Sequence, residues 1–552
     1  MKLKQLMALA LIGFAVGACK RPDGGDSDVV EPEGKVVKAK LAINVPKSIR
    51  TYAPGDGDPL ATVDEKVANY IDVFIYEDGG SYALSFYGRF TPNGTPPTVA
   101  IPTGTQFGID NATQTQFVTA DFDVREGEKL VFVGINLPDL IVDRLKTGYY
   151  VNETFEQTDL INLLANEQEI GGSSEVAFFN TALVPHDLTA DDEILNVSVS
   201  RLIAKVVVMA EDADDDISGG SNDASWDING GTVSELEFAI GQRNNQMFVS
   251  PLVGGADPNY GVSNINTVGE VSPNSIVKLR PVDAVNDYIV VNDIGPIANV
   301  ALSTTNMRYT TENTSDLHRH QDVTYVSIKA KFAPHRFDPD PTTGKLPDDG
   351  SPNNMTPPTA GFYAVFTGDP DGEDGVGVRY FNADDADGLE KARNFVMGDY
   401  FADIANGGTN ITFPGDPATD PFDNAAATAT ADHYIHFYDE SNCYYRIYLN
   451  PSEVDGATAP GLGGYNIFRN TVYIARVTGV NYIGTTEPDI LPGSVDGNGK
   501  GTPTYPGAWF PNFLAAPVQQ SDVITPLDLI TGLSVSVTME DWKDDDQDYE
   551  VN

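Results

Sequence analysis

The sequence predicts a mainly β protein: two domains of short strands with a few short helices. Three observations carry this. Val, Thr, Tyr and Phe recur in short runs that alternate with polar residues at the two-residue period of a strand. Glycine (52) and proline (36) punctuate the 552-residue chain at short intervals. A stretch rich in Asp, Gly and Ser, residues 211–227, divides the pattern in two. The length suits two or three domains.

The chain opens with Lys2 and Lys4, an apolar run over residues 6–16, and then Val-Gly-Ala-Cys ending at Cys19. The run is too short for a membrane span, which needs about 20 residues, and fits the core of a signal peptide. Small residues directly before a cysteine mark a lipoprotein signal, so residues 1–19 end at a lipidated Cys19. Residues 20–34 are polar and lack the apolar content for a core. In residues 37–45, Val37, Ala39, Leu41, Ile43 and Val45 share one face, while Lys38, Lys40 and Asn44 share the other. This is strand periodicity, and Pro46 stops it. Arg50 precedes Thr51 and a turn-rich stretch to residue 58, an exposed setting that suits a protease.

The first domain is expected over residues 51–212. Residues 68–76 set Ile71, Val73 and Ile75 against Tyr70, Asp72 and Phe74, and a turn at 78–80 leads to a hairpin partner over 81–90. Residues 117–124 read as one strand, and the nearly all-apolar 129–137 as a buried central one. Residues 139–145 and 159–165 have helical spacing. Residues 196–209 read as one long strand closing the domain. After a linker at 213–227, the second domain (228–532) opens with a strand over 232–240 that Asn244-Asn245 could turn back into 247–250. It continues with strands over 323–332, 433–438, 443–449 and 471–480 and a helix over 389–404, with turn-rich insertions at 339–358 and 488–508. Last, Leu533, Val535, Val537 and Met539 alternate with polar residues, and Trp542 precedes an acidic tail that holds Tyr549 and Val551. That end reads equally as a frayed edge strand or as a segment built to extend beyond the domain.

Charge and chemistry narrow the function. The net charge is −46, from 80 acidic against 34 basic residues. A phosphate backbone would be repelled, which argues against nucleic-acid binding. Copies of the chain repel each other too, so polymerisation would need apolar burial or strand pairing. With Cys19 lipidated, Cys443 has no intrachain partner and reads as a small core residue. His318 with His320, and His433 with His436, lack the further ligands of a zinc site. The carboxylate-rich turns at 212–216, 338–340 and 369–374 lack EF-hand spacing. No catalytic motif stands in a suitable setting. We expect no enzyme activity, no metal and no cofactor.

Several segments in order resemble the fimbrillins, the type V pilins of Bacteroidales, and most closely the structural subunit of the short fimbria. They are the Cys19 signal, the strand before Arg50, KLVFVGINL (129–137), SRLIAKVVV (200–208) and TVSELEFAI (232–240) with NNQMFVSP (244–251). Further on come VTYVSIKAKFAP (323–334), YYRIYLN (444–450), FRNTVYIARVTGVNYIG (468–484) and SVSVTMEDW (534–542). The resemblance implies two β-sandwich-like domains of transthyretin-like, Greek-key type. It implies export to the outer membrane as a lipoprotein, cutting after Arg50 by an extracellular Arg-specific protease, and loss of the 20–50 propeptide with its strand. A neighbouring copy's C-terminal segment, residues 533–552, would then fill the opened groove. Candidate plugs are Leu533, Val535, Val537, Met539, Trp542, Tyr549 and Val551. Partners would be other copies, anchor and tip subunits, and surface ligands on host or bacteria, to which the fimbria adheres. Asp541 stands where the family often has proline before the tryptophan. The alternative is a surface lipoprotein that does not polymerise, or a tip or accessory adhesin that binds glycan or protein.

Overall fold

The computed structural model describes residues 35–44, 68–78, 83–92, 106–109, 116–146, 176–181, 185–189, 193–210, 225–228, 230–241, 243–244, 276–277, 289–290, 307–314, 323–335, 337, 357–366, 378–405, 435–449, 465–481, 483–486 and 533–541. The chain is mainly β, as expected. Cys19, Val45, Arg50, Thr51, Trp542, Tyr549 and Val551 lie outside the described residues, as do the expected helix at 159–165 and the three carboxylate-rich turns.

The first unit is built from β1 (Val36–Asn44), β2 (Ile71–Glu77), β3 (Leu84–Pro92), β4 (Gln106–Ile109), β5 (Gln116–Thr119), β6 (Phe122–Arg125), β7 (Gly127–Ile135), helix α1 (Asp139–Lys146), β8 (Phe178–Asn180), β9 (Pro185–Leu188) and β10 (Glu193–Arg201). Its strands pair in the order β10-β8-β7-β2-β3-β4-β5-β1-β6, and β10 also pairs with β1. The sheet therefore closes on itself as a flattened barrel, a sandwich whose two layers share β3 and β10. Closure leaves only β6 and β9 with a single strand partner among the described residues, and β1 joins β10 to β5 and β6.

The central strand β7 pairs with β2, β8 and β9 and is buried along most of its length, as its apolar run predicts. Strand β2 is buried on both faces despite Asp72. Arg89 makes that possible with a two-pronged contact, Nε to Asp72 Oδ1 at 2.6 Å and Nη2 to Oδ2 at 2.9 Å. Tyr87 Oη adds a third donor at 2.8 Å. Arg89 also reaches Asp139 at 3.1 Å, which ties the start of α1 to the sheet. Desolvation still pushes the Asp72 carboxyl above its ordinary value, against the pull of Arg89.

Two expected strands are each two strands. The stretch 117–124 breaks into β5 and β6. The stretch 196–209 breaks at Leu202 and Ile203. Its first part, β10, stays in the first unit, and its second, β11 (Ala204–Ala210), joins another sheet. The turn keeps both apolar residues buried, so no polar or glycine signal marks it.

The second unit continues with β12 (Trp226–Ile228), β13 (Gly231–Gly241), β14 (Arg243–Asn244), β15 (Ile276–Val277), β16 (Ile289–Val290), β17 (Met307–Thr310), β18 (Tyr325–Pro334), β19 (Gly361–Phe366), β20 (Val378–Asn382), helix α2 (Gly388–Ala405), β21 (Ile435–Asp439), β22 (Asn442–Tyr448), β23 (Thr471–Val480) and β24 (Leu533–Asp541). One sheet runs β17-β11-β23-β24 and another β12-β13-β18-β22. The core between them includes Val206, Val208, Phe238, Ile328, Tyr445 and Tyr473. A third sheet, β20-β19-β21, carries α2 on its outer face over Val365, Phe381 and Ile435. Strand β11 is buried on both faces because its sheet is shared. Val207, Met209, Val472 and Ile474 pack into the first unit's core, while the intervening residues pack into the second.

Candidate functional site

The candidate site is the seat of β1. Strand periodicity places Val37, Ala39, Leu41 and Ile43 inward, and all four are buried in the first unit's core with Phe117, Phe122, Val124, Leu195 and Val197. The opposite face is solvent-facing at its start, where Val36 is 53% exposed and Lys40 makes a rim ion pair with Asp121 at 3.0 Å, while Ala42 further on is buried. One edge of β1 runs parallel to β10, from Ala39 opposite Glu193 to Asn44 opposite Ser198. The other edge runs antiparallel, first to β6 (Val36 to Ala39 opposite Arg125 to Phe122) and then to β5 (Ala42 to Asn44 opposite Val118 to Gln116).

Two further bonds fasten the strand. The Glu126 N–H donates to the Lys35 carbonyl at 2.9 Å. The Leu41 N–H donates to Thr119 Oγ1 at 2.9 Å. Withdrawing a strand paired on both edges leaves a slot about 30 Å long, at roughly 3.3 Å per residue. Its exposed backbone and apolar floor are costly in water. Refilling it with three or four aliphatic side chains recovers on the order of 5–10 kcal/mol before ordering costs.

The other expected site segment takes a different place. β24 pairs antiparallel with β23 of the same chain, from Leu533 opposite Val480 to Asp541 opposite Thr471. Leu533 is buried in the second core, and Val535 and Val537 pack against it half-buried. Met539 lies opposite Tyr473 in that ladder. The structure thus gathers Val37, Ala39, Leu41 and Ile43 in one seat and puts Leu533, Val535 and Val537 on another sheet of the same chain. Sequence reasoning placed strands over 117–124 and 196–209 but did not show that β5, β6 and β10 wall the seat of β1. The alternation of Leu195, Val197 and Val199 was a signal for β10, whereas Thr119 has none.

Residues 436–548 match the family described as major fimbrial subunit protein type IV, fimbrillin, C-terminal. This segment is similar to the C-terminal part of fimbrillins. It starts within β21 and takes in β22, β23 and β24, so the fimbrillin match covers the strand whose donor role was expected. No curated protein matches the chain. Among solved structures, a candidate cell adhesion protein from Parabacteroides distasonis is 11% identical, with a TM-score of 0.39, covering 92% of this chain and 97% of that one. A second candidate cell adhesion protein from the same organism is 13% identical, with a TM-score of 0.41 and coverage of 92% and 100%. A fimbrial assembly protein, also from that organism, is 11% identical, with a TM-score of 0.24 and coverage of 55% and 86%.

Proposed function

We propose that the protein is a structural subunit of a cell-surface fimbria that adheres to host or bacterial surfaces. It is exported to the outer membrane as a lipoprotein through Cys19 and cut between Arg50 and Thr51 by an extracellular Arg-specific protease. It then polymerises by strand replacement. One observation carries this reading: β1 closes the first unit's sheet, is bonded along both edges, and precedes Arg50 in the chain. A cut at Arg50 separates that strand covalently from the rest of the fold. The fimbrillin match over 436–548 supports the same reading.

The donor in a neighbouring copy is the C-terminal segment, residues 533–552. Leu533, Val535 and Val537 already serve the second core, so β24 must leave β23 or the residues after Asp541 must insert. Anchor and tip subunits are the further partners. Arg50→Ala and truncation after Asp541 should each abolish SDS-resistant ladders on the cell surface; normal ladders from both variants would refute the reading. In a lipid-anchored adhesin that does not polymerise, N-terminal sequencing would return a blocked Cys19 instead of Thr51.

A further inference from the structure

The wall of the seat opposite β10 is irregular at one point. Ala39 lies opposite Phe122 on β6, and Ala42 lies opposite Val118 on β5. Three steps along β1 therefore match four along the wall, from residue 122 to residue 118. The extra residue is a β-bulge, which interrupts the regular ladder at Lys40 and Leu41. There the Leu41 N–H is taken by a side chain, Thr119 Oγ1 at 2.9 Å. Thr119 is 3% exposed and stands close to Phe117 and Phe122 in the chain, both buried. A buried amide or hydroxyl left without a partner in such surroundings is costly.

We infer that Thr119 is a positioning residue for the strand that replaces β1. Its hydroxyl accepts a backbone N–H from whichever strand fills the seat: Leu41 of β1 before exchange, and an extended segment of a second copy afterwards. The inference rests on the strand-replacement reading above. It adds that the bulge is bridged by a side chain, and that an incoming strand with proline at this point fits poorly because proline has no N–H.

The test uses the full chain cut after Arg50, in wild-type, Thr119→Ser and Thr119→Val forms. The serine form should polymerise at close to the wild-type rate. The valine form, of similar shape but without the hydroxyl, also loses the bond to Leu41, so the readout is the polymer, which should release subunits about three- to tenfold faster, the range expected for one hydrogen bond. A peptide of residues 35–45 serves as the probe of the seat. Methylating its Leu41 nitrogen should weaken binding to wild type by a similar factor, and the extra loss should vanish on Thr119→Val. Equal losses on both proteins, or a valine polymer that releases subunits at the wild-type rate, would overturn the inference. If cut wild type never polymerises, the strand-replacement reading falls instead. The peptide comparison still judges Thr119, because the peptide is β1 itself.

Discussion

Leu41→Ala separates the precursor from the polymer. Leu41 is fully buried in the middle of β1 and packs into the first unit's core. The substitution deletes three carbons at about 0.8 kcal/mol each, roughly 2.4 kcal/mol of transfer free energy. The cavity left behind raises the cost toward the 3–5 kcal/mol typical of buried Leu→Ala changes, as far as the seat fails to collapse. Urea unfolding of the uncut precursor should therefore show a loss of about 3 kcal/mol with an unchanged slope. The polymer no longer contains Leu41 if β1 is replaced, so the heat at which SDS-resistant ladders melt should not move. The weakened strand should also leave faster after the cut, so polymerisation should start sooner. A precursor loss under 0.5 kcal/mol would refute the packing argument. An equal loss in precursor and polymer would refute the claim that β1 departs.

Two other predictions concern the body of the fold. Asp72→Asn leaves the Arg89 guanidinium without its two-pronged partner in a half-buried site, and should cost about 3–5 kcal/mol in chemical denaturation. Burial pushes the Cys443 thiol up to about 11, so it should resist alkylation at pH 8 until the chain is unfolded, as mass spectrometry of the mature form would read. Its contribution to stability is fully present below the unfolded value of 9 and is lost as pH rises from 9 toward 11, because only the unfolded thiol ionises in that window.

What could be read in advance follows the range of the forces involved. The inward face of β1, the buried β7, helix α1 and β23 were all visible as local periodicity, which depends on near neighbours in the chain. Apart from the local hairpin of β2 with β3, pairings were not visible. The parallel contact of Leu41 with Leu195 spans more than 150 residues, and no local pattern encodes it. The break at Leu202 and Ile203 was hidden because both sides of it are buried. Asp72 read as one face of an alternating strand, yet Arg89 and Tyr87 make its burial tolerable. The last strand read equally as an edge strand or as a segment built to extend, and its pairing with β23 was not visible.

The turn at Leu202 and Ile203 has a mechanical consequence. β10 forms one wall of the seat, and two residues later the same backbone enters β11, which pairs with β23, itself the partner of β24. A pull on a strand held in the seat and an opposing pull on the C-terminus would meet through this stretch, linked in series by covalent bonds and by the ladders of one sheet. No flexible tether lies between β10 and β11 to absorb extension. A shaft built from such units would bear load as a chain of stiff links, with its compliance concentrated where one copy holds the next.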